Sequence, residues 1–204
     1  MASTILLPRL GWFIALVVVL QSSASAQKPV KNARAEQTSF GIDWLPDEAF
    51  MEKPVEIPSG AMRVITDSLP RGTINCLSLH KISPEQIPLS WFAGSEIHLD
   101  GPGEVDFIVQ PDIPKIVARE VPLNEGAGCL LGANIGPFWV IRKNPSGRYS
   151  LLLATYALGL QVLDSRTNSY RDIQTGASTA TTATRIIYKM AVAQYEVVDK
   201  KTDP

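Results

Sequence analysis

The chain has 204 residues with a formal net charge of −1, and only 19% of them are charged. Nucleic-acid binding therefore lacks its electrostatic footprint, because neutralising phosphates needs clustered Lys and Arg, and the one basic run is the "DKK" of residues 199–201. The length left after an amino-terminal leader, about 178 residues, suits one domain with a sizeable core.

The leader comes first in chain order. Arg9 supplies a positive start, "WFIALVVVL" at residues 12–20 is an apolar stretch, and Ala24-Ser25-Ala26 is a small-x-small cleavage pattern. The apolar run is about half of the roughly 20 residues that a membrane-spanning helix needs. Residues 1–26 are therefore expected to be a cleaved signal peptide, leaving a chain that starts at Gln27 without stable membrane insertion. The expected destination is the periplasm or the exterior of a bacterial cell.

Residues 27–59 carry prolines at 29, 46, 54 and 58 and no sustained period, which reads as an extended, partly disordered lead-in. A single β-rich domain is expected over residues 60–198, with a tail at 199–204. Within it, "AMRVITDS" at 61–68 fits either a strand or a helical turn, since period alone does not choose. "TINCLSLHKI" at 73–82 alternates in part and reads as strand-like. "SPEQIPLSWF" at 83–92 is a helix start, with Ser83 as N-cap and Pro84 at the first position, but Pro88 limits it to about a turn. Trp91 and Phe92 read as core anchors.

From Ser95 onward, short β-branched and aromatic runs alternate with turn formers: "SEIHL", "EVDFIVQ", "FWVIRKN", "RYSLLLAT", "LQVLDSR", "SYRDIQT", "TRIIYKM" and "QYEVVD". No stretch among them is a helical crossover long enough to join parallel strands. The expected fold is mainly β, an antiparallel meander or sheet of about eight or more short strands with one short helix.

Cys76 and Cys129 are the only cysteines. In an exported chain they read as a disulfide, with two buried free thiols as the alternative. Closing a loop of about fifty residues stabilises a fold by roughly 4 kcal/mol on the chain-entropy model. His80, four residues after Cys76, is the nearest histidine to either.

The stretch "IHLDGPGEVDFIV" at 97–109 sets three acidic residues around a Gly-Pro-Gly turn between two apolar, strand-like runs. As a hairpin it sets Val105, Phe107 and Val109 on one face and Asp106 and Ile108 on the other, with Asp106 expected toward solvent. As a calcium loop starting at Asp100 it lacks the oxygen ligand at position 3, the Gly at position 6 and the Glu at position 12, where Pro102, Val105 and Pro111 stand. Asp100, Glu104 and Asp106 remain weak metal candidates, with His98 nearby. No cofactor motif is present: "GAGCLLGANIG" at 126–136 lacks the Lys-Ser/Thr of a phosphate loop and leads into a strand.

These residues carry a loose resemblance. "IHLDGPGEVDFIV" resembles a degenerate hairpin of the FG-GAP and VCBS-type bacterial repeats, and "NSYRDI" and "YKMAVAQYEV" are similar to strands of small exported bacterial proteins of unknown function. It covers about residues 95–198 and implies a β-rich exported module. In calcium-binding members of such repeats the loop carries alternate acidic ligands, and Pro102 occupies one of those places.

Two function classes follow. One is an exported, non-enzymatic β-rich module of the cell envelope or exterior, a binding or structural protein whose partner is a protein or a glycan, reached through surfaces such as Tyr170-Arg171-Asp172. The alternative is a small exported hydrolase using paired carboxylates, Asp100 with Asp106 or Asp164 with Asp172. A cleft with two facing carboxylates favours the second.

Overall fold

The computed structural model describes residues 38–41, 54–101, 104–121, 124–132 and 135–203. The expected signal peptide, the cleavage point before Gln27 and most of the expected lead-in lie outside the described residues. Among them, nine strands form two antiparallel sheets. The first sheet holds β2 (Phe92–Ile97), β3 (Val105–Pro111), β4 (Gly136–Lys143) and β5 (Tyr149–Ala157) in chain order. The second holds β6 (Gly159–Thr167), β7 (Tyr170–Ser178), β8 (Ala183–Met190) and β9 (Tyr195–Asp203), with β1 (Thr38–Gly41) added beside β6. The expected mainly β meander is therefore present as eight consecutive strands, divided after β5. Only Leu158 separates β5 from β6, and its amide donates to Gly176 O at 2.7 Å, so the chain turns from one sheet into the other at a corner.

Each sheet offers alternate side chains to its two faces, and the first sheet is covered on both. Ile108, Phe138, Val140, Leu153 and Ala157 meet Leu160, Val162, Ile173, Tyr188 and Tyr195 of the second sheet in one core. Their neighbours Phe107, Val109, Trp139 and Ile141 point the other way, into a second core under a helical layer. Burial on both faces explains why "FWVI" and "FIV" read as unbroken apolar runs.

The helical layer is the main departure from expectation. Residues expected as strand-like or ambiguous form two nine-residue helices, α1 (Ser59–Asp67) and α2 (Arg71–Leu79), and shorter ones follow at α3 (Ile113–Val117) and α4 (Asn124–Ala127). Pro58 and Pro70 stand just before α1 and α2, where a missing N–H costs nothing, and Pro58 O accepts from both Ala61 N and Met62 N. Ala61, Met62 and Ile65 bury one face of α1, a helical rather than an alternating spacing. The helix expected at Ser83 is a single 3-10 turn over Pro84–Gln86 closed by a capping box, with Ser83 N donating to Gln86 Oε1 at 2.9 Å. Trp91 and Phe92 are buried as expected. Val55 bridges Gly94, β1 lies within the expected lead-in, and residues 199–203, expected as a tail, are the end of β9.

Cys76, in α2, is bonded to Cys129, in the 3-10 turn Gly128–Leu130 after α4, with Cα atoms 5.6 Å apart. The bridge spans 53 residues of chain and ties the helical layer together. No described helix is long and apolar enough to cross a membrane.

Candidate functional site

The hairpin at 97–109 forms as expected: β2 pairs antiparallel with β3 from Phe92 opposite Pro111 to Ile97 opposite Asp106. Among the described residues, its acidic residues do not form a group of three metal-ligating side chains. Asp106 is completely buried, not solvent-facing, because the face that it shares with Ile108 is covered by the second sheet. A carboxylate in that position needs a full set of partners. Arg142, directly across the β3–β4 ladder, supplies them with Nε to Oδ1 at 2.8 Å and Nη2 to Oδ2 at 3.0 Å, and Leu99 N donates to Oδ2 at 3.1 Å. Asp100 Oδ2 takes Arg142 Nη1 at 3.0 Å. Glu104 contributes its carbonyl, which accepts from His98 Nδ1 at 2.8 Å. Two of the three metal candidates are thus neutralising one guanidinium.

The network continues into the second sheet. The Arg142 guanidinium lies 4.5 Å from the centre of the Tyr170 ring and also donates to the Tyr170 hydroxyl. Leu99 O accepts from Arg171 N at 2.7 Å and from Arg166 Nη1 at 3.1 Å, fastening the hairpin loop to the β6–β7 pair. Tyr195 OH donates to Arg171 O at 2.5 Å. Burial opposes the charge on Arg142, but the hydrogen bonds and charge of Asp106, with Asp100 and Tyr170, outweigh it and hold the guanidinium well above its ordinary pKa. Burial, with Asp106 and Asp172 close by, pushes the Tyr195 phenol well above the ordinary range.

The surface expected at Tyr170-Arg171-Asp172 is likewise spent internally. Arg171 is bound to Leu163 O at 2.8 Å and to Asp164 at 3.3 Å, while Asp172 is buried and accepts from Ser165 Oγ at 2.7 Å. Asp164 lies at the surface and Asp172 in the interior, so that pair does not face across a cleft.

Open depressions lie elsewhere. One of about 760 Å³ runs over the helical layer, lined by Met62, Arg63, Asp67, Ile74, Glu85 and Leu89. Its two carboxylates are exposed, Asp67 beside Arg63 at 3.9 Å, and Glu85 held below the usual carboxylate range by its own backbone amide and by the Ser83 hydroxyl. An acid held ionised is a poor proton donor.

Arg142 and Tyr195 are the residues that sequence reasoning missed. The signal for Arg142 was an arginine inside the apolar strand "FWVIRK", where a cation requires a carboxylate directly opposite. No known protein family, curated protein or solved structure matches the chain.

Proposed function

We propose that the protein is an exported, non-enzymatic β-rich module of the cell envelope or exterior that binds a protein or glycan partner, and that β9 is its contact edge. The observation that carries the reading is the exposure of this strand: eight of its nine residues are exposed, and among the described strands it pairs with β8 alone. Val197 and Val198 stand 56% and 54% exposed on it, large apolar surface on an edge that pairs with no second described strand and could take up a further strand. The leader pattern of residues 1–26, the disulfide and the hairpin's resemblance to FG-GAP and VCBS-type segments support export. Against the hydrolase stands the use of Asp100, Asp106 and Asp172 as internal partners of Arg142 and Ser165.

The test is retention of isolated envelope material by the immobilised mature protein and by a Val197→Glu, Val198→Glu variant with an unchanged melting curve. Retention that falls at least tenfold in the variant is the expected result. Equal retention by both proteins, or hydrolysis of glycoside or ester substrates that is lost in Asp100→Asn, overturns the reading.

A further inference from the structure

We propose that Cys76, His80 and Cys129 form a soft-metal site when the disulfide is reduced, taking a zinc-class divalent ion on two thiolates and one imidazole. The two sulfur atoms and a ring nitrogen of His80 all lie within 4.8 Å of one another. The placement follows from the fold. Cys76 sits in the last turns of α2 and His80 is the residue that caps it, four positions on and therefore over the same face. Cys129 is brought to them from the far side by the turn Gly128–Leu130. The packing there is close: a Cβ on Gly126 would fall 2.2 Å from Ile82 Cδ1 and 3.6 Å from His80 Cβ, so a larger residue would require the Ile82 side chain to shift.

His80 is exposed and its ring has no hydrogen bond or ion pair among the described residues, whereas both cysteines are half-buried. That leaves a side chain available as a ligand, two donors held in place, and a fourth direction open to solvent. Three protein ligands of the Cys/His type with an open position are a zinc-class donor set. Tetrahedral binding at Zn–S distances of about 2.3 Å would place the sulfurs about 3.8 Å apart. With Cα atoms 5.6 Å apart, that separation is within reach of side-chain rotation.

The chemistry balances in two steps. A dithiol reductant gives two electrons and two protons to the Cys76–Cys129 bond and is itself oxidised to a disulfide, leaving two thiols. The divalent ion then displaces both thiol protons and accepts the lone pair of neutral His80, so the occupied site carries no net charge. Metal occupancy and the disulfide therefore exclude each other.

The test uses cobalt(II) as the probe. The full-length mature protein is titrated in its disulfide form and after reduction, with far-ultraviolet circular dichroism recorded on both. The reduced protein is expected to bind one cobalt per chain, with a thiolate-to-cobalt charge-transfer band and tetrahedral d–d bands that zinc abolishes; the disulfide form shows neither. Since loss of outer-shell partners alone costs about 10–100-fold in metal affinity, His80→Gln is expected to weaken binding by at least about tenfold. In the disulfide form the same variant is expected to melt with the wild type. A reduced wild type without the bands, a His80→Gln variant of unchanged affinity, or a reduced chain that loses its fold and does not regain it with the metal overturns the proposal.

Discussion

Asp106 and Arg142 form a buried ion pair whose desolvation is offset only while both partners are present. Asp106→Ala leaves the guanidinium inside the protein with Asp100 alone, and is expected to cost about 3–5 kcal/mol in urea denaturation. Replacing the pair together, Asp106→Leu with Arg142→Met, is expected to cost much less, because no charge is stranded. Additive losses in the double variant would show that the pair is not the unit. Tyr195 provides a pH test. Its phenol has a folded pKa above the unfolded value, so the protonated form favours the fold: stability is complete below about pH 10 and falls as pH rises further. Tyr195→Phe should lose some stability at neutral pH with the hydrogen bond to Arg171, and should show a shallower alkaline decline; an identical alkaline slope would exclude this coupling. The hairpin around Asp106 was legible in the sequence because alternation and the Asp-Gly-Pro-Gly turn are local signals. The direction of Asp106 was not, since a polar residue on an alternating strand reads the same whether its face meets water or an arginine from another strand.

At the scale of elements, the strands from Ser95 onward were legible for the same local reason, and α1 and α2 were not. Both helices are only nine residues long and contain β-branched residues, Val64, Ile65 and Thr66 in one and Thr73 and Ile74 in the other. α1 is held by packing on β4 and β5, and α2 by packing on α4 and the Gly128–Leu130 turn, rather than by propensity, and partners 71 and 53 residues away leave no local trace. Trp139 Nε1, for example, donates to Ser68 Oγ at the end of α1 at 2.9 Å. The β6–β7 turn shows the opposite case, a local conflict that the fold overrides. Thr167 pairs with Tyr170, so the two-residue loop is Asn168-Ser169, and both residues have positive φ, 51° and 72°. Asn tolerates that conformation and Ser does so poorly. Ser169→Gly is accordingly expected to stabilise the protein by about 1 kcal/mol, read as a higher denaturation midpoint with an unchanged slope. A midpoint that falls would mean that the Ser169 side chain contributes more than its backbone conformation costs.

Across the whole molecule, sequence alternation sets which strands can form but not how sheets stack. The division of one eight-strand meander into two facing sheets rests on the corner at Leu158, a single residue between two long strands. The same stacking makes the molecule uneven. β3 and β4 have apolar cores on both sides and a ladder partner on both edges, while β9 has exposed positions along nearly all its length and one neighbour among the described strands. Time therefore distinguishes the strands as well as place. In heavy water the amide protons of β9 should be replaced through brief local openings, long before those of Val109, Val140 and Ile141, whose exchange must wait for the entire domain to unfold. Exchange in that order would mean that the centre stays closed while β9 separates and rejoins.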